Sequence, residues 1–103
     1  MNANTISKTL GTDHTRSTRS AGMIRGAGRR TPGFVARTRR GVVGGPEVVV
    51  ECYGPNNGTT EHTAKLNEYR TTLESAGYVV RDLNDYFTGR VDAIVVVANG
   101  GDR

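Results

Sequence analysis

The stretch VVVECYGPNNGTTEHTAKLNEYRTTLESAG, Val48–Gly77, decides the fold. It opens on a β-branched run, Val48 to Tyr53, which reads as a strand. Gly54-Pro55-Asn56-Asn57-Gly58 then breaks the chain, with both asparagines tolerant of left-handed geometry. Thr59 or Thr60 can cap a helix, and Glu61 falls in its first turn, where the helix dipole favours an anion. Leu66, Tyr69, Leu73 and Ala76 follow at spacings of 3, 4 and 3, one helical stripe, and Gly77 is a natural stop. Glu61 and Lys65 stand four apart, a spacing that supports a surface ion pair.

Downstream, Tyr78–Leu83 and Val91–Ala98 read as two further strands, the second of them apolar on both faces and hence central. Only seven residues, Asn84 to Arg90, join the two. A parallel crossover needs a dozen or more, so this connection is a hairpin. The first strand reaches the second through a helix, which makes those two parallel with a right-handed crossover. The expectation is an α+β fold, a small βαββ unit with sheet order 1-3-2, a split βαβ or half of a ferredoxin-like fold. The compact domain is expected over 46–103, after the break at Gly44-Gly45-Pro46. One helix covers one sheet face, so valine surface is expected to stay bare on the other and to invite a homodimer, unless Phe34, Val35, Val42 and Val43 fold back over it.

Upstream the composition changes. Residues 1–45 hold nine basic side chains against the single acid Asp13, a net of +8, whereas residues 46–103 carry a net of −4. Large apolar residues are sparse in that first part, and Arg25-Gly-Ala-Gly-Arg-Arg-Thr-Pro-Gly33 is too rich in glycine and proline for a helix. Residues 1–45 are therefore expected to form a disordered basic arm. Three readings of it stay open. The first is nucleic-acid binding through phosphates, carried by Arg25, Arg29, Arg30, Arg37, Arg39 and Arg40. Phe34 is its only aromatic residue, so the arm alone offers little base stacking. The second is a targeting peptide, against which the glycines and Pro32 argue. The third is a lead-in without a role, the true start being a valine codon at Val42, Val43 or Val48.

Chemistry-bearing residues are few. Cys52 is the only cysteine and His14 and His62 the only histidines, too few for a Cys/His zinc site. Cys52, within a valine-rich run, reads as a small buried hydrophobe in a reducing, cytoplasmic setting. No apolar run approaches the roughly 20 residues of a membrane span. The strand-to-helix loop offers an anion site from Asn57, Gly58, Thr59, Thr60 and His62, since free N–H groups and the dipole point the same way there. It matches neither the P-loop nor the dinucleotide glycine pattern, and ordinary turn-and-cap chemistry explains the same residues. His62 falls on the buried stripe near its N-terminal end. Asp82, Asp85 and Asp92 read as solvation of a hairpin, and Tyr78, Tyr86 and Phe87 as packing. No catalytic set or cofactor is expected. The sequence points to a small non-enzymatic binding protein using its basic arm. The alternatives are a small-molecule or anion site at the 54–60 loop and a protein-interaction module acting through the sheet face.

Overall fold

The computed structural model describes residues 2–18, 31–40, 46–55, 58–84, 89 and 91–99. They form a small α+β domain of two helices and one four-stranded antiparallel sheet. In chain order the elements are α1 (Ala3–Gly11), β1 (Gly33–Arg40), β2 (Pro46–Tyr53), α2 (Thr60–Ser75), β3 (Tyr78–Asn84) and β4 (Val91–Asn99). The sheet order is β1-β2-β4-β3, and every neighbouring pair is antiparallel.

The central helix forms for the reasons its sequence gives. Thr59 is the N-cap, its hydroxyl accepting from the His62 N–H at 3.2 Å, and Gly77 takes φ +96° just past the last turn. Leu66, Tyr69 and Leu73 are buried as one stripe against the sheet, while Ala76 lies exposed beyond the helix end. Lys65 pairs with Glu68, at 3.5 Å, rather than with Glu61.

Residues before 46 depart from the expected arm. Asn2 caps α1, accepting from the Thr5 N–H at 2.9 Å, and Ile6 and Leu10, one turn apart, enter the core. β1 pairs with β2 along its whole length, from Gly33 opposite Tyr53 to Arg40 opposite Pro46. Disorder is thus corrected to helix and strand for residues 3–11 and 33–40, and the boundary expected at 45/46 falls inside an antiparallel strand pair. The sheet accordingly has four strands where three were expected. The physical reason is core completion. Ile6, Leu10 and Phe34 join Val48, Val50, Cys52, Leu66, Tyr69, Leu73, Ile94 and Val96 in one cluster beneath the helices.

The opposite sheet face is not bare. Val49, Ala93 and Val95 form a second buried cluster with Leu83 and Val97 against it. Among the described residues the one large apolar side chain that stays exposed is Val79, at 46%. The expected homodimer therefore loses the bare valine face on which it rested. Phe34 packs on the helix side instead of folding over that face, and Val42 and Val43 lie outside the described residues. Asp82 is ion-paired with Arg70 of α2, Asp92 is also partnered, and Asp85, Tyr86 and Phe87 lie outside the described residues.

Candidate nucleic-acid interface

Two short segments far apart in sequence meet at the outer edge of β1. The Phe34 N–H donates to Thr15 O at 3.0 Å, and the Ser17 N–H donates to Phe34 O at 2.8 Å. One step outward the Thr31 N–H donates to Thr18 O at 2.8 Å, and the Thr18 N–H to Thr31 Oγ1 at 2.9 Å. Ser17, itself buried, adds a bond from its Oγ to Thr31 O at 2.6 Å. The approach demands glycine at position 33. Its φ is +144°, and a Cβ there would stand 2.5 Å from Thr15 O and 2.6 Å from the Ser17 nitrogen. His14 ties the same segment to α2, with Nε2 2.8 Å from Thr72 Oγ1 and its ring edge-on to Tyr69 at 5.0 Å. Residues 18 and 31 are therefore held together, and twelve residues lie between them in sequence. Those twelve, 19–30, include Arg19, Arg25, Arg29 and Arg30 and no acid.

The structure divides the six arginines expected to bind phosphates. Arg25, Arg29 and Arg30 lie outside the described residues, and so does the side chain of Arg40. Arg37 and Arg39 are on β1, on the sheet face away from the helices, and both face acids of β2. Arg37 Nε lies 3.3 Å from Glu51 Oε1. Arg39 Nε lies 3.6 Å from Glu47 Oε1, and Arg81 of β3 reaches Glu47 Oε2 at 2.8 Å. Glu47 is buried between its two arginines, so the pairings are part of the sheet. Arg37 is the more exposed member, and its pair with Glu51 is of the kind worth at most about 1 kcal/mol, which a phosphate can displace.

The five residues expected to bind an anion are also separated. Asn57 lies outside the described residues. Gly58 turns the chain at φ +82°, Thr59 spends its hydroxyl on the cap, and Thr60 is exposed at the helix start. His62 does not face the loop surface. It is 1% exposed, and neither ring nitrogen has a hydrogen-bond partner.

A cavity of about 240 Å³ opens beside that loop, at the end of β2. Thr15, Pro32, Gly33, Cys52, Tyr53, Pro55, Lys65 and Tyr69 line it. The Tyr69 hydroxyl donates to Cys52 Sγ at 3.7 Å. Burial pushes the Cys52 thiol above its usual range, against the lowering effect of that hydrogen bond, and burial pushes the Tyr69 phenol well up, the hydrogen bond adding to it. Both are neutral at pH 7, so Cys52 is no thiolate nucleophile. Sequence reading placed Tyr69 and Cys52 in the core correctly but missed the cavity, because its walls come from residues 15, 32–33, 52–55 and 65–69. Tyr53 and Pro55, next to a strand end, were the only local signal.

Among the described residues no group of three or more His, Cys, Asp or Glu side chains is placed to hold a metal, and no helix is long and apolar enough to cross a membrane. No protein-family model matches the chain, and neither a curated protein nor a solved structure does so.

Proposed function

We propose that this protein binds nucleic acid through the phosphate backbone, using the basic segment 19–30 together with the neighbouring exposed Arg16. The observation that supports this reading is the junction between Thr18 and Thr31. It ties both ends of an acid-free, four-arginine segment to one point on the sheet edge. A segment anchored at both ends has less conformational freedom to lose on binding than a free arm of the same composition. Arginines on glycine-rich backbone reach successive phosphates, and counterion release then supplies affinity without base selectivity. Of the nine acids in residues 46–103, Glu47, Glu51, Glu68 and Asp82 are ion-paired within the domain.

The test is fluorescence anisotropy with a labelled oligonucleotide, comparing the full chain with a variant carrying R19Q, R25Q, R29Q and R30Q. The variant should fold as the parent does and lose most of its affinity at low salt. Equal binding by both would place the interface elsewhere.

A further inference from the structure

The cavity at the end of β2 adds a distinct site to that surface. We propose that it receives one unstacked base of a single strand, so that the protein prefers single-stranded over duplex nucleic acid. This rests on the nucleic-acid reading above.

Position comes first. Thr15, Pro32 and Gly33 of the cavity wall flank the junction that holds both ends of segment 19–30. A strand bound at that junction has a nucleotide within reach of the opening. Size comes next: about 240 Å³ falls below the roughly 300–1,000 Å³ of drug-sized sites, which suits one flat ring and not a stacked pair. The walls match a base in kind. The rings of Tyr53, Pro32 and Pro55, none of them buried, offer apolar and π surface on which any base stacks, while Tyr69, 2% exposed, adds only a small patch of wall. Polar points are few. The Tyr69 hydroxyl, already donating to Cys52 Sγ, keeps its oxygen lone pairs for an N–H on a base edge, the N3–H of thymine included. Lys65 stands at the rim with its side chain about half exposed, in a surface pair with Glu68 weak enough to be exchanged for a phosphate. A duplex would have to flip a base out to use such a site, at a cost a single strand does not meet.

The experiment titrates the full chain with labelled oligo(dT) and with a duplex of equal length. Oligo(dT) should bind more tightly than the duplex. Y53A should weaken oligo(dT) about 5- to 150-fold, the range for loss of one stacked base, with little effect on the duplex. K65Q, at an exposed position that cannot unfold the chain, should also lower the preference for the single strand. Equal binding of the two nucleic acids overturns the base pocket and leaves the phosphate reading standing. Binding of neither overturns both.

Discussion

Phe34→Ala should destabilise the protein by about 3–5 kcal/mol, the usual cost of truncating a fully buried phenylalanine. Phe34 is fully buried, stands opposite Cys52 in the β1–β2 register, and meets the Tyr69 ring at 6.0 Å with an interplanar angle of 69°. The edge-to-face contact carries about 0.5–1.5 kcal/mol of its own, which places the loss in the upper part of that range. Small domains have about 5–15 kcal/mol in total, so roughly a fifth or more of the stability is at stake. Urea unfolding followed by circular dichroism measures it. With a slope near 1.5–2 kcal/mol per M the midpoint should fall by about 1.5–3 M. Arg37→Gln, at an exposed position on the same strand, is the control and should move it little. The competing picture, in which residues before 46 form a structureless arm, allows Phe34→Ala no more than about 0.5 kcal/mol. A shift that small would refute the packing of β1 and with it the junction on which the interface depends.

Two further outcomes bear on the core. His62→Leu should stabilise the fold by about 1–3 kcal/mol in the same assay, since a buried imidazole with one donor and one acceptor unmade gives way to an apolar side chain of similar size. A loss of more than about 1 kcal/mol would mean that His62 makes polar contacts in solution. Alkaline pH should be destabilising. Cys52 and Tyr69 hold their protons above their ordinary values of 9.0 and 10.0, so from about pH 9 upward the unfolded chain releases protons that the folded one keeps. Stability should be level through neutral pH and fall beyond it, and Tyr69→Phe should remove the part of the fall lying above pH 10. A rise in stability above pH 9 would contradict the burial of both groups.

The second half of the chain was legible because its signals are local. A β-branched run, a capped helix with a 3-4-3 apolar stripe, and a connection too short for a crossover set β2, α2, β3 and β4. The first half was not, although its signals exist. Asn2 with Ile6 and Leu10 one turn apart is an amphipathic helix in miniature, too short and too polar to stand out against its surroundings. In β1, Phe34, Ala36 and Thr38 alternate with Val35, Arg37 and Arg39, which is a strand pattern hidden by arginine content. Its charges make sense only once Arg37 stands near Glu51 and Arg39 near Glu47, and that register belongs to tertiary structure. The same holds for the candidate sites. His62 was placed on the buried stripe by periodicity, but nothing local announced that its nitrogens would lack partners. The cavity draws on four separate segments and has no sequence signature.

The most direct test of phosphate binding by segment 19–30 is the salt dependence of oligo(dT) affinity for the full chain. If the four arginines of that segment each meet one phosphate, the logarithm of the association constant should fall against the logarithm of salt concentration with a slope of about −2.8, and the four-glutamine variant should lose that slope. A parent chain whose binding is insensitive to salt, or a variant that keeps the parent's slope, would contradict the account.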